Sequence, residues 1–298
     1  MSASRFRAVD VLLPLLAVVG SLVSLSVGQA LAKRLFPLVS AEGTVAYRIG
    51  FSLLLLGLIW RPWRWSLART DLKKIAAYGV TLGVMNLMFY QALLTVPLGV
   101  ATAIEFSGPL VVAVVFSRRL IDFAWVALAF VGLALLLPFR SGMEHVDPRG
   151  AAFAVGAATC WALYIVFTKR ISHLHPGQTV SLGLVFASLV ALPIGIAGAG
   201  ASLLVPSSMA LGLAVAALSS AIPYSLEMFA LRRLSKQAFS VTLSMDPAMA
   251  AVAGLAILGE RLSIVQWVAV ASTMVASVGM AFTSERETVP AGAEIPPA

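Results

Sequence analysis

Ten apolar stretches fill this chain and leave charge little more than the short connectors between them. They run over residues 11–32, 44–60, 75–95, 101–116, 123–138, 150–167, 179–199, 209–231, 240–258 and 264–282. A helix that spans a bilayer needs about 20 predominantly apolar residues, so ten of them take up about two thirds of the chain and leave no length for a second folded domain. Ordinary soluble domains are about 45–50% apolar and about 25% charged, whereas here 60% of residues are hydrophobic and 11% charged. So few charges cannot cover a water-exposed surface. The runs do not alternate in polarity as barrel strands must. The expected fold is therefore an all-α integral membrane protein with ten transmembrane helices.

An even number of crossings returns both termini to one side. Fifteen Lys and Arg residues then fall on that side: Arg5, Arg7, Arg61, Arg64, Arg69, Lys73, Lys74, Arg118, Arg119, Lys169, Arg170, Arg232, Arg233, Lys236 and Arg286. The other side holds Lys33, Arg34, Arg140, Arg149 and Arg261. Basic residues concentrate in cytoplasmic loops, so both termini are expected in the cytoplasm. The net charge of +8 is then a property of loops rather than a nucleic-acid surface. An alternative reads Arg5, Arg7, the first apolar run and Ala30-Leu31-Ala32 as a cleaved leader. The run is longer than a typical leader core, and the even count requires it as a helix. Residues 284–298 combine Pro, Gly and charge without periodicity and are expected to form a disordered cytoplasmic tail.

The two halves, 11–138 and 150–283, align with one another. Pro109 falls against Pro247 and Ala92-Leu93 against Ala230-Leu231. After a four-residue insertion, Arg119-Leu120 meets Arg261-Leu262 and Trp125-Val126-Ala127 meets Trp267-Val268-Ala269. Five helices per half make the second half enter from the opposite side, giving two inverted repeats. Such repeats place a substrate site at their interface near the midplane. Pro109 and Pro247 are expected to kink the fourth and ninth helices there, although many membrane prolines only shape packing.

Four ionisable residues lie within apolar runs: Arg48, Glu105, Glu227 and Asp246. A charge at the bilayer centre costs about 2.5–3.5 kcal/mol on insertion scales, so it faces protein or water and points to function. Arg48 lies near the outer end of its run, where it could snorkel to the interface or serve the site. Glu105 precedes Pro109 by one turn, in a run without a basic residue, and Asp246 immediately precedes Pro247. The repeat register sets Asp246 against Gly108, three residues from Glu105 and on the same helical face. Two such carboxylates suit an ammonium group, a proton, or both. Glu227 lies under two turns from Arg232 and Arg233, which leaves a structural ion pair as open as a substrate role. Asn86, Tyr90, Gln91, Ser220 and Tyr224 complete a candidate polar lining, though such residues also glue membrane helices together. Trp60, Trp63 and Trp65 read as an interfacial belt.

His145, His173 and His175 fall in connectors, and Cys160 is the one cysteine. Neither a metal site nor another cofactor is expected, and no phosphate-binding loop, zinc-protease motif or nucleophile elbow is present. A membrane enzyme lacks its reactive constellation, and a passive scaffold has no need of buried carboxylates.

Six runs carry a family resemblance. They are Ala32-Lys33-Arg34-Leu35-Phe36-Pro37-Leu38-Val39, Val96-Pro97-Leu98-Gly99-Val100-Ala101 and Glu105-Phe106-Ser107-Gly108-Pro109-Leu110 in the first half. In the second half they are Cys160-Trp161-Ala162-Leu163-Tyr164-Ile165, Ile222-Pro223-Tyr224-Ser225-Leu226-Glu227-Met228 and Ser244-Met245-Asp246-Pro247-Ala248. These resemble the amino-acid exporters of the EamA-type group, in the drug/metabolite transporter superfamily, over essentially the whole folded chain. The resemblance implies ten helices in two inverted repeats, a bacterial inner membrane, and efflux of small amino acids such as threonine and homoserine in exchange for protons. It departs at Asp246, where the exporters usually carry Glu, and at Ser107, where they commonly carry Thr. The shorter acid could alter cavity width and substrate, and the superfamily also moves drugs and other metabolites.

The basic asymmetry makes a direct prediction. Reporter fusions at Ser40, Gly142 and Ser202 should read as periplasmic, and fusions at Ala68, His173 and Glu287 as cytoplasmic. A periplasmic signal from Glu287 would break the ten-span topology.

Overall fold

The computed structural model describes residues 3–64, 67–115, 120–135, 146–231, 233–234 and 236–284. Most of the tail expected over 284–298 therefore lies outside the described residues, as do Trp65, Arg118, Arg119, Arg140, His145 and Arg232. Among the described residues there are helices and no strands. The α-helices are α1 (Ala3–Trp60), α2 (Arg69–Ala92), α3 (Leu98–Glu105), α4 (Ser107–Val115), α5 (Leu120–Ala134) and α6 (Pro148–Arg170). They continue with α7 (Pro176–Ala199), α8 (Pro206–Ala216), α9 (Ile222–Leu231), α10 (Lys236–Leu243), α11 (Asp246–Ala253) and α12 (Ile264–Ser284). Among the described residues, seven helical stretches are long and apolar enough to cross a bilayer, the first of them Leu12–Trp60 with 49 residues. The protein is a multi-pass membrane protein. Its outer face is as apolar as its interior: Leu54, Leu58, Leu120, Leu189 and Ile264 are exposed, while Ser21, Ser26, Thr44, Ser52 and Ser181 are buried. Lipid, rather than water, suits such a surface.

The loop expected between the first two apolar runs is absent. Helix α1 passes through both and is interrupted only at Val39 (φ −137°, ψ 17°) and Ser40 (φ 61°, ψ 172°). Positive φ is costly for a residue with a Cβ, and capping offsets the cost. Ser40 Oγ accepts from the Gly43 amide at 3.2 Å, and Thr44 Oγ1 donates to the Ser40 carbonyl at 2.7 Å. The first of these contacts has the N-cap-to-N3 spacing. The chain reverses here. In a straight helix Gly28 and Arg48 would stand about 30 Å apart, yet both meet Ser219. A Cβ on Gly28 would lie 2.8 Å from the Ser219 amide nitrogen, and Arg48 Nη2 donates to the Ser219 carbonyl at 3.3 Å.

The expected proline kinks also take a different form. The fourth apolar run divides into α3 and α4 at Phe106, and the ninth divides into α10 and α11 at Ser244 and Met245. Pro109 and Pro247 sit in the first turn of the second piece in each case. A first turn tolerates proline because its amides have no helical partner. Serine hydroxyls flank both breaks: Ser107 Oγ donates to the Ile104 carbonyl at 2.6 Å, and Ser244 Oγ to the Ser240 carbonyl at 3.0 Å.

Helix α1 packs on α7, α8 and α9, α2 on α6 and α7, and α5 on α12. Small residues set the closest approaches, as in membrane bundles where lipid offers no hydrophobic drive. Gly79 and Gly83 of α2, four apart, face Gly183 and Ala187 of α7, also four apart. A Cβ on Gly79 would lie 2.3 Å from the Gly183 carbonyl oxygen, whereas one on Gly57 would meet nothing within 4 Å. Gly79→Val should therefore cost about 1–3 kcal/mol through overpacking, read as a lowered midpoint of thermal unfolding in detergent. Gly57→Ala should stay within about 0.5 kcal/mol of wild type.

Candidate functional site

The breaks just described meet around a cavity of about 960 Å³. Its wall takes residues from α1, α2, α4, α6, α9, α10 and α12 together with the ends of α3 and α11. Helix α3 packs against α11, so closely that a Cβ on Gly99 would lie 2.5 Å from the Cβ of Ala251. Pieces α4 and α10 instead contribute Pro109, Leu110 and Ala113, and Ser240 and Leu243, to the cavity wall. The wall reaches Ile165, about one helical turn short of Lys169. The cavity thus extends from the breaks toward the end that carries Lys169, Arg170 and Arg233.

Four expected charges converge here. Arg48, Glu105, Glu227 and Asp246 all line the cavity. Arg48 does not snorkel: Nη1 donates to the Tyr90 hydroxyl oxygen at 3.4 Å, and the guanidinium lies 5.6 Å from the centre of the Tyr90 ring. Glu105, at the end of α3, is 7% exposed and lies within coulombic reach of both Asp246 and Arg48. The fold thus supplies the cation that Glu105 lacks in its own helix. Asp246 is equally buried, and its Oδ1 has no hydrogen-bond partner among the described residues. Glu227 accepts a 2.6 Å hydrogen bond from Ser21 Oγ. Among the described residues it forms no ion pair with Arg233, whose guanidinium lies 4.0 Å from the centre of the Phe229 ring; Arg232 lies outside them.

The neutral candidates divide. Asn86 and Tyr224 line the cavity, and Asn86 Nδ2 also donates to the Leu82 carbonyl at 2.8 Å. Tyr90 stands fully buried behind Arg48 rather than in the wall. Gln91 hydrogen-bonds Glu42 instead, and Ser219 rather than Ser220 reaches the cavity. Gln29, Trp161, Tyr164 and Ser277 also line it and were not singled out from sequence. Gln29 Oε1 and Ser277 Oγ, like Asp246 Oδ1, lack partners among the described residues. The sequence signal for Gln29 was available, an isolated amide in the first apolar run. Trp60 packs on Gly177 and lies 5.8 Å from the His175 ring, so it is partly a packing residue, while Trp63 is exposed.

A cavity beside broken helices, lined by charges of both signs, has the chemistry to hold a small charged ligand. The sequence profile of the EamA-like transporter family matches residues 148–282. The threonine/homoserine exporter RhtA of Salmonella typhimurium (strain SL1344) is 46% identical over 281 residues, covering 94% of this chain and 95% of that protein. The threonine/homoserine exporter RhtA of Escherichia coli (strain K12) is 45% identical over 282 residues, covering 95% and 96%. The chain belongs to the EamA-like transporter family. A solved crystal structure shares its fold at a TM-score of 0.57 and 18% identity, over 95% of this chain and 99% of that one.

In this family member one carboxylate ties three segments together at the end away from Lys169. Glu260 Oε1 pairs with Lys33 Nζ at 2.6 Å, and its Oε2 accepts from the Leu98 amide at 2.8 Å. Lys33 Nζ also donates to the Val96 carbonyl at 3.1 Å, and Arg34 donates to the Ile257 carbonyl. Helix α1, the turn before α3 and the turn before α12 are thereby tied together. Gly259 brings Glu260 into place by adopting φ +72°, which only glycine adopts freely. Glu260→Gln removes the charge from this knot and should lower stability by about 1–3 kcal/mol. In a Cys160→Ser background, Val96→Cys, at a position fully buried in wild type, should gain labelling by a membrane-impermeant maleimide when Glu260→Gln is added. Equal labelling with and without Glu260→Gln would show that the knot does not close this end.

Proposed function

We propose that this protein is a secondary transporter of a bacterial inner membrane that exports small hydroxylated amino acids, threonine and homoserine among them, in exchange for protons. The observation that carries the reading is the identity of 45–46% with two threonine/homoserine exporters over nearly the full length of both chains. The cavity supports it chemically, since a small zwitterion meets both a cation and carboxylates there.

The accompanying topology has ten crossings in two inverted repeats, 11–138 and 150–283, with both termini cytoplasmic. The reversal at Ser40 supports it by making two passes of α1. So do the matching breaks in the fourth and ninth apolar runs, each followed by proline. The family profile, over 148–282, spans nearly the second proposed repeat. With the basic end cytoplasmic, the cavity faces the cytoplasm and the Lys33–Glu260 knot closes the periplasmic end. Exchange of these two states then carries substrate outward, as inverted repeats allow.

Glu105 is the proposed point where a proton and the substrate ammonium compete. It lies at the break, beside Asp246 and within reach of Arg48, so its occupancy reports on both. In proteoliposomes carrying an imposed proton gradient, purified wild type should drive radiolabelled threonine and homoserine flux. Glu105→Gln should reduce that gradient-driven flux to the background of empty vesicles while retaining exchange down a substrate gradient. Wild-type gradient-driven flux from a correctly folded Glu105→Gln would move the coupling role to Asp246. Absence of threonine and homoserine flux in wild type would favour another substrate of the superfamily, in line with Asp in place of Glu at residue 246.

A further inference from the structure

We propose that Arg48 is the anchor for the substrate's carboxylate, with Glu105 and Asp246 facing its ammonium, so that the cavity reads the zwitterion by its two charges; this rests on the amino-acid export reading above. An α-amino acid carries both charges on groups attached to one carbon. A site for it needs a cation and an anion close together and not already neutralised by each other. The cavity has that property. Among the described residues Arg48 is the one Lys or Arg in its wall, three carboxylates share the wall with it, and none of them forms a salt bridge to it. Asp246 Oδ1 is moreover unpartnered in a side chain that is 7% exposed.

The guanidinium is held in place by backbone geometry. In an α-helix the carbonyl of residue 219 would accept from the amide of residue 223. Residue 223 is proline and has no amide hydrogen. The chain passes through a π-helical turn here (Ala217–Ala221), in which the Ile222 amide donates to the Ala217 carbonyl. The Ser219 carbonyl thus receives no α-helical bond from residue 223, and it accepts from Arg48 Nη2 at 3.3 Å. On the other side the fully buried Tyr90 meets Nη1 at 3.4 Å and lies beneath the guanidinium. Both contacts are long and made to neutral oxygens. Arginine has five N–H donors in a planar fork suited to a carboxylate, so donors remain for one.

The test compares ligands that differ in one charge. Wild type reconstituted in proteoliposomes is assayed by competition against radiolabelled threonine, using unlabelled threonine, threonine amide, which lacks the carboxylate, and N-acetylthreonine, which lacks the ammonium. Loss of a charge-assisted carboxylate bond predicts roughly 10–100-fold weaker competition by the amide. Arg48→Gln should weaken threonine by a similar factor and leave the amide nearly unchanged, so that the discrimination collapses. If Arg48→Gln does not fold, Arg48→Lys keeps the charge but not the fork, and should weaken threonine several-fold without weakening the amide. Discrimination against the amide that persists unchanged in a folded Arg48 variant would overturn the assignment. Failure of wild type to bind threonine or homoserine at all would instead count against the export reading.

Discussion

Inside a bilayer no water reaches a backbone group that a helix leaves open, so every interruption of a helix must be satisfied by the protein itself. Local satisfaction is visible at the described breaks within the apolar runs and at the Ser40 reversal between two of them. Ser40 caps the restart of α1, Ser107 and Ser244 hydroxyls return to carbonyls beside their breaks, and Arg48 takes the carbonyl that Pro223 releases. Three of these interruptions surround the cavity. The same constraint that makes a broken helix costly therefore concentrates polar groups where a ligand would bind.

Charge follows the same logic at two depths. At the cavity, Arg48 forms no salt bridge to the carboxylates among the described residues, and it and Glu227 are held by neutral groups. At the end away from Lys169, Lys33 and Glu260 pair directly, and each also meets backbone groups of the α2–α3 turn. Both residues of that pair are partly shielded, with side chains 20% and 16% exposed, so solvent weakens their attraction less than it would on an open surface. The proposed exchange of two states calls for one set of charges that yields to substrate and another that yields to conformational change, and the two clusters differ in that sense.

Much of this was legible in the sequence, for physical reasons that also mark where reading stopped. Apolar runs disclose membrane helices because lipid accepts little else, and the cost of an intramembrane charge singled out Arg48, Glu105, Glu227 and Asp246, all of which reached the cavity. Depth and facing were less legible. Arg48 looked terminal because the helix around it extends further than its apolar run; Gln91 and Ser220 turned away because one residue is about 100° around a helix. The reversal near Ser40 was expected, but its tightness was hidden, because capping by Ser40 and Thr44 replaces a loop with two residues. The glycine seam between α2 and α7 depends on a pairing of helices that neither sequence segment reveals alone.

The two carboxylates at the breaks are not equivalent, and packing shows why. Asp246 aligns with Gly108, but a Cβ on Gly108 would lie 2.1 Å from the carbonyl oxygen of Ala158 in α6. No acid fits there without displacing a helix, and the first half carries its carboxylate three residues earlier, at Glu105. That shift places the two acids on opposite sides of their breaks. Glu105 ends α3, where carbonyls face out of the helix, whereas Asp246 begins α11, where amides face out. Helix ends present partial charges of opposite sign, so the two acids occupy different fields although they share one cavity. If, as proposed, proton and ammonium compete at this site, two carboxylates that differ in this way would help to tell them apart, and the close contact between α4 and α6 at Gly108 leaves no room for the symmetric alternative.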